Sequence, residues 1–516
     1  MRVQKTIVMN ILMTLCDTVI TQDSVMEISQ CLTDVVTTKD TLPQPAVATT
    51  NSIPFASLEA WQWLLHFCII AIGLLAGNIL RRKVPVLKKS LIPSALLGGA
   101  LLLCLKAIPG MENIVNKESM EIITYHALGL GFVALALKNN KIQSKSSTMT
   151  VIETGTLTAS TYLIQAIVGL GATILLFYFG KQIFYASGLL LPMGYGQGPG
   201  QALNFGTMYT VKAGEQGIDF AGADFGLAIA TLGFIVGSIV GVVYLNILRR
   251  KGVISVQEED RQTNTLEDYQ SKDEIPDSES IDKFSIQICL VLFVYFLVYL
   301  FVNSIQKMDL GNFGENTLKP MLWGFNFLFG TLFGVIAKWL INKFKKVKLM
   351  NREYTNNYLL NRISGFCFDV MIVAGTAAIS FKALKAFIVP LTIVCVLGAI
   401  ATFWYLRAAS KHLYPTYVNE GFLSMFGMLT GTASNGMILL REIDPKFETP
   451  ASDNLVYQNL PAIVFGFPIM MLIQVAQTSR ENAILVLILI IAFLAVLLTI
   501  LFRKQIFKKR KKEETK

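Results

Sequence analysis

The sequence predicts an all-α, polytopic membrane protein: two inverted five-helix repeats, each with a re-entrant hairpin, plus one extra C-terminal transmembrane helix. Three observations predict it. The 516 residues are 53% hydrophobic and only 16% charged, with a mean hydropathy of +0.53, too little charge for a soluble chain of this length. Long apolar runs recur, separated by short loops that carry Lys and Arg. Two polar, glycine-punctuated stretches then interrupt those runs at matching places in the two halves.

A crossing of about 30 Å of hydrocarbon takes about 20 apolar residues. The runs that meet this length are 61–80, 91–109, 121–138, 151–179 and 220–248, then 283–305, 319–342, 359–381, 384–408 and 454–478, with a last at 483–503. Between the sets, 252–282 is polar and acidic and reads as a solvated cytoplasmic linker. The expected organisation is therefore a tail over 1–52, a first repeat over 53–251, the linker, a second repeat over 283–478, the extra helix over 479–503 and a basic cytoplasmic tail over 504–516. Within the first tail, the apolar run 7–16 follows Arg2 and Lys5, as in the core of a secretory leader.

The net charge of +10 is spent on orientation, and nothing in it calls for nucleic acid. Arg81, Arg82, Lys83, Lys88 and Lys89 follow the first span; Arg249, Arg250 and Lys251 end the fifth; Lys343, Lys345 and Lys346 follow the seventh. The C-terminus holds Arg503, Lys504, Lys508, Lys509, Arg510, Lys511 and Lys512. These clusters share one face only if each interrupted segment, 184–212 and 415–440, enters and leaves on the same side. That makes both segments re-entrant hairpins in repeats of opposite orientation, with the N-terminus outside and the C-terminus cytoplasmic. A pair of such breaks is the pattern of a transporter's binding site.

The first break contains Gly196, Gln197, Gly198, Pro199, Gly200, Gln201 and Asn204. Its glycines and proline prevent a continuous helix. Freed backbone groups can then face a ligand, with Gln197, Gln201 and Asn204 adding neutral donors and acceptors. The second contains Thr430, Gly431, Thr432, Ser434 and Asn435. Its hydroxyl and amide oxygens are hard donors suited to Na⁺, and the hydroxyls can also donate to a carboxylate. Asp369, inside the eighth span, is costly there and marks a further candidate; it binds an ion or proton, or pairs with Lys338. Asp224 and Glu153 read as interfacial, Lys106 as snorkelling, and Gln458 and Asn459 as residues that could complete the site. Arg441 either pairs a substrate carboxylate or snorkels.

Several classes are excluded or disfavoured. No phosphate-binding loop of the G-x-x-x-x-G-K-[ST] kind is present. Neither a Ser/His/Asp set nor HExxH occurs, and the three histidines and seven cysteines stand in no metal-ligand spacing. The chain reads as a non-enzyme without cofactor.

In order and position, Leu87-Lys88-Lys89-Ser90-Leu91-Ile92-Pro93, Ala127-Leu128-Gly129-Leu130-Gly131, the stretch Gly194–Gly200 and the stretch Leu429–Gly436 resemble the bacterial sodium/glutamate symporter family. The resemblance runs from about Trp61 to Gln477. It implies a cell-membrane secondary transporter importing L-glutamate, or a related dicarboxylate, with Na⁺ as coupling ion. It also implies a homodimer in lipid, in which a unit carrying both hairpins moves against a scaffold. Substrate and ion contacts are implied at Gln197, Gly198, Gly200, Thr430, Gly431, Thr432, Ser434 and Asn435, with Na⁺ assigned to Thr430, Thr432, Ser434 and Asn435. The family places a histidine where this chain has Gln197, and the long N-terminal tail, the acidic linker and the last span are departures. Two alternatives stay open: H⁺- or Na⁺-coupled transport of another dicarboxylate or 2-oxoacid, and a passive channel.

Overall fold

The computed structural model describes residues 58–108, 111, 114–138, 147–180, 183–253, 280–309, 311, 319–348, 355–445 and 447–513. The expected leader, all of the N-terminal tail and most of the acidic linker lie outside the described residues. The chain divides into two units, residues 1–62 and 63–516. Of the first, only the start of helix α1 is described. The second carries everything that follows.

Among the described residues the structure is helical throughout. In the first half come α1 (Leu58–Lys83), α2 (Pro85–Ser90), α3 (Ser94–Lys106), α4 (Lys117–Leu137), α5 (Thr148–Tyr178), a 3₁₀ turn (Tyr185–Leu189), a π turn (Pro192–Gly196), α6 (Pro199–Glu215) and α7 (Gly222–Arg250). In the second come α8 (Ser280–Gln306), α9 (Lys319–Gly324), α10 (Asn326–Lys346), α11 (Asn357–Ala378), α12 (Phe381–Leu384) with a 3₁₀ turn (Lys385–Phe387), α13 (Ile388–Leu413), α14 (Val418–Leu429), α15 (Ala433–Arg441), α16 (Ala451–Tyr457), α17 (Asn459–Ala476) and α18 (Arg480–Glu513).

Nine helices among the described residues are long and apolar enough to cross a membrane, or ten if α16 and most of α17, bent by 48°, form one crossing. The sequence led us to expect eleven. The expected span 91–109 is replaced by α3, whose 13 residues rise only about 20 Å. The reason is local: Leu91 sits at φ 57°, and Pro93 is the residue from which α3 starts. The expected span 319–342 is likewise two pieces, α9 and α10, parted at Phe325. At the other end, α18 runs on through the basic tail to Glu513.

Side-chain caps set several starts. Asn116 accepts from Ser119 N at 3.0 Å before α4, Ser147 from Thr150 N at 3.1 Å before α5, and Asn356 from Leu359 N at 3.0 Å before α11. Each satisfies one otherwise orphaned helical N–H. The α1 and α3 backbones come into contact: a Cβ on Gly77 would stand 2.5 Å from Gly98 N. Helices in lipid gain this close approach only through small residues. Around the future site, α4 packs on α11, α6 on α7, α14 on α15, and α5 against α13, α17 and α18.

Polar residues expected at interfaces turn out to tie helix ends together. Asp224, at the start of α7, accepts from Lys117 Nζ at 2.6 Å and from Ser380 N at 2.7 Å. Lys106, expected to snorkel, instead donates to the carbonyls of Ala377, Ala378 and Ile379 at 3.3, 3.1 and 3.4 Å. It caps the C-terminal end of α11, where the helix dipole favours a cation. Replacing Lys117 by Met leaves the Asp224 carboxylate, 2% exposed, without its cation. Because the Lys117 side chain is itself 37% exposed, the cost is discounted from the fully buried case to about 1–3 kcal/mol. A thermal-unfolding midpoint in detergent is expected to fall accordingly.

Candidate functional site

The two glycine-punctuated stretches break their helices and meet. In the first, the π turn ends at Gly196, and Gly198 adopts φ 85°, ψ −176°, a region open essentially to glycine alone. Pro199 then opens α6 as its first residue, where a missing N–H costs nothing. In the second, α14 stops at Leu429 and α15 starts at Ala433. A Cβ on Gly198 would stand 3.4 Å from Thr432 Cγ2 and 3.8 Å from Gly431 O, so the first break rests directly on the second.

A cavity of about 120 Å³ opens at this meeting point. Gly196 and Gln197 contribute from one break, and Gly431, Thr432, Ala433 and Ser434 from the other. Tyr162 of α5 and Asn459 of α17 add polar atoms, and the rest of the wall is apolar, including Leu128, Phe132, Phe368 and Met371. The lining contains no Asp, Glu, Lys, Arg or His.

Polarity instead comes from the backbone. Neither α6 nor α15 has a side-chain cap at its N-terminus. The N–H groups of Gly200 and Gln201 have no hydrogen-bond acceptor among the described residues, nor do those of Ala433 and Ser434. The α15 N-terminus, whose Ala433 and Ser434 line the cavity, thus presents partial positive charge and free donors there, and the α6 N-terminus begins two residues beyond the lining residue Gln197. Such ends bind anions.

The expected site residues divide into distinct groups. Gln197, Thr432 and Ser434 line the cavity. Gly200 lies against Leu128 and Met371, with no room for a side chain between them. Gln201 is fully buried, with both amide atoms unpaired among the described residues. Asn204 is turned to structure, donating to Gly324 O at 2.9 Å. Thr430 donates its hydroxyl to Phe426 O at 2.7 Å, while its own carbonyl faces Gly233 of α7. Asn435 is 1% exposed, and neither of its amide atoms has a partner among the described residues; its Nδ2 stands 3.0 Å from where a Cβ on Gly237 would be. Of the four oxygen-bearing residues assigned to Na⁺, two therefore face the cavity and two face α7.

Asp369 is not brought to this cavity. It is exposed on α11, while its neighbour Phe368 lines the wall. Its alternative partner is otherwise engaged: Lys338 donates to Lys138 O at 3.1 Å. Arg441 lies over the Phe447 ring at 5.7 Å and is not among the lining residues, and Glu153 lies 4.0 Å from Arg503.

Two residues that the sequence reading passed over hold the breaks in place, and both sit on α5. Tyr162 donates to Gly196 O at 3.2 Å, and Gln165 donates to Leu429 O at 2.8 Å. The available signal was a run of polar residues inside an apolar span, Thr154 to Gln165, which is buried rather than lipid-facing. Gln458, beside the lining residue Asn459, donates to Asn459 Oδ1 at 2.9 Å and accepts from Thr158 at 2.8 Å.

Comparison with known families and proteins gives two results. The profile of the sodium/glutamate symporter family matches residues 58–409, well over half of the 516-residue chain. The match ends before α14, so the second break lies beyond it. No curated protein matches the chain.

The strained conformation at Gly198 yields a prediction. Gly198→Ala forces a side chain into glycine-only backbone space, at about 1–3 kcal/mol, and against Thr432. A lower thermal midpoint is expected, and an unchanged one would show that the break relaxes freely.

Proposed function

The chain belongs to the sodium/glutamate symporter family, and from that premise we propose that it imports L-glutamate by Na⁺-coupled secondary transport, binding substrate where the two breaks meet. One observation carries the proposal: two uncapped helix N-termini start at the meeting point of the breaks, α15 in the wall of the cavity and α6 two residues beyond the lining residue Gln197, and the lining has no charged side chain. A dicarboxylate presents two anionic ends, and each N-terminus suits one of them. The apolar wall suits the methylene chain between. Gln197, Thr432, Ser434, Asn459 and the Tyr162 hydroxyl offer acceptors to the substrate ammonium.

Na⁺ is assigned in this reading to the second break. The Asn435 side chain is buried with both amide atoms unpaired among the described residues, and it and the Thr430 carbonyl both face α7; an amide and a carbonyl there offer neutral oxygens of the kind that bind Na⁺ beside broken helices. The inverted repeat belongs to the proposal too. A long helix, a short entry, a break, a short helix and a long helix recur as α5, the 3₁₀ and π turns, 197–198, α6, α7 and as α13, α14, 430–432, α15, α17, the second with α16 inserted before its last helix. Gln201 and Asn435 each stand three residues beyond Gly198 and Thr432, and both are buried with unpaired amides. The 12 residues of α14 and nine of α15 rise about 18 and 14 Å, too short to cross, which supports re-entry. A homodimer, an elevator-like swing of the unit holding both breaks, an outside N-terminus and a cytoplasmic C-terminus complete the proposal.

A second reading has its own support. Since the lining holds no carboxylate, the ammonium gains no ion pair, and a dicarboxylate or 2-oxoacid without an amine is a competing substrate.

The test is uptake of labelled L-glutamate into proteoliposomes under an inward Na⁺ gradient. Accumulation that collapses with the gradient is expected; uptake indifferent to Na⁺ removes the coupling. Unlabelled 2-oxoglutarate that displaces label better than unlabelled L-glutamate selects the second reading. Gln197→Leu and Ser434→Ala each remove a hydrogen bond of about 0.5–1.5 kcal/mol. Each is expected to raise the half-saturating glutamate concentration roughly two- to tenfold, and unchanged values in both would remove the site assignment.

A further inference from the structure

Gln165 lies near the middle of α5 and is 0% exposed. Its Nε2 donates to Leu429 O at 2.8 Å and to Thr402 Oγ1 at 3.0 Å. A carbonyl oxygen only accepts, so the nitrogen has to face Leu429 and Oε1 is turned away from it. That Oε1 is buried and has no hydrogen-bond partner among the described residues. It stands 3.4 Å from where a Cβ on Gly196 would be, between the end of α14 and the first break.

A buried acceptor without a donor costs about 1–3 kcal/mol, so an occupant that meets it is stabilising. The substrate does not reach it: Tyr162 and Gly196 line the cavity, and Gln165 behind them does not. A bare cation is small enough. Groups of His, Cys, Asp or Glu able to hold a metal are absent among the described residues. The Gln165 oxygen is neutral, which suits a hard monovalent ion better than a divalent or transition metal.

The carbonyls at the end of α14 also point to separate places. Leu429 O is turned to Gln165 of α5, whereas Thr430 O lies 2.5 Å from where a Cβ on Gly233 of α7 would be. The helix end therefore has one flank with an unpaired Gln165 oxygen and another with the unpaired Asn435 amide.

We infer that Gln165 Oε1 is a ligand of a second sodium ion, held between the two breaks on the α5 side of α14 and apart from the ion at Asn435. The inference rests on the Na⁺ coupling proposed above and adds to it an ion count of two. It gives Gln165 a coupling role, because one side chain then joins the second break by its nitrogen and the first break by the ion on its oxygen.

The experiment compares wild type, Gln165→Leu and Gln165→Glu. It measures thermal unfolding in NaCl against choline chloride without substrate, and the Na⁺ dependence of uptake in proteoliposomes. Wild-type uptake is expected to rise with a Hill coefficient above one, up to about two. Gln165→Leu is expected to bring it to about one, to raise the half-saturating Na⁺ concentration about tenfold, and to lose part of the Na⁺-induced thermal shift. Gln165→Glu keeps an oxygen for the ion but gives up the donor to Leu429 O; it is expected to recover the cooperative response in part, which an ordered water at Oε1 would not produce. A Gln165→Leu protein with the wild-type Na⁺ curve and thermal shift overturns the inference while leaving Na⁺ coupling intact. A wild type that ignores Na⁺ in both measurements overturns the coupling itself, and this inference with it. If Gln165→Leu does not fold, Gln165→Glu decides: a carboxylate beside the ion has to change the half-saturating Na⁺ concentration, and an unchanged value overturns the second site.

Discussion

A helix broken inside apolar surroundings must find partners for the backbone groups it frees, because no solvent is there to take them. Much of the centre of this molecule follows from that constraint. The carbonyls of the breaks are met by α5: Tyr162 donates to Gly196 O and Gln165 to Leu429 O. The N–H groups at the starts of α6 and α15 are left without acceptors among the described residues, those of α15 in the cavity wall and those of α6 just beyond the lining residue Gln197. A long helix with a buried polar face thus serves as the frame on which both breaks are hung. On the proposed reading, the donors left over are the substrate's binding site.

The same constraint explains why the cavity needs no basic side chain. A Lys or Arg deep in a membrane is costly and has to be paired or hydrated in the empty state. A helix N-terminus offers partial positive charge without a full ion to desolvate. It also sits on a rigid element, so two such ends can be held at a separation suited to one ligand. The neutral lining is therefore consistent with a site that receives and releases an anion without leaving a bare cation behind.

Much of this was legible in the sequence. The glycines from Gly194 to Gly200, with Pro199, mark one break because no continuous helix tolerates them, and the cluster Thr430 to Asn435 marks the other. The family resemblance agrees with the profile match over residues 58–409, which includes the first stretch and ends before the second. What was not legible depends on helix phase and on distant partners. Asp369 attracts notice as an acid in an apolar span, yet Phe368 and Met371 face the cavity, and the adjacent position on a helix points about 100° away. Gln165 and Tyr162 look like ordinary polar residues in α5, since their partners lie far along the chain. The span expected at 91–109 failed because apolar length was counted without the backbone turn at Leu91. Lys106 was read as snorkelling because the three carbonyls it caps belong to α11 and cannot be seen from its own helix.

The central claim is that a dicarboxylate sits between two helix N-termini. Its most direct test is an experimental structure of the protein in lipid nanodiscs with L-glutamate and NaCl. The account predicts substrate density bounded by Gln197 and Ser434. One carboxylate is expected about 2.7–3.2 Å from the N–H groups of Gly200 or Gln201, and the other equally close to those of Ala433 or Ser434. Density elsewhere, or carboxylates paired with an arginine or lysine side chain, would contradict it.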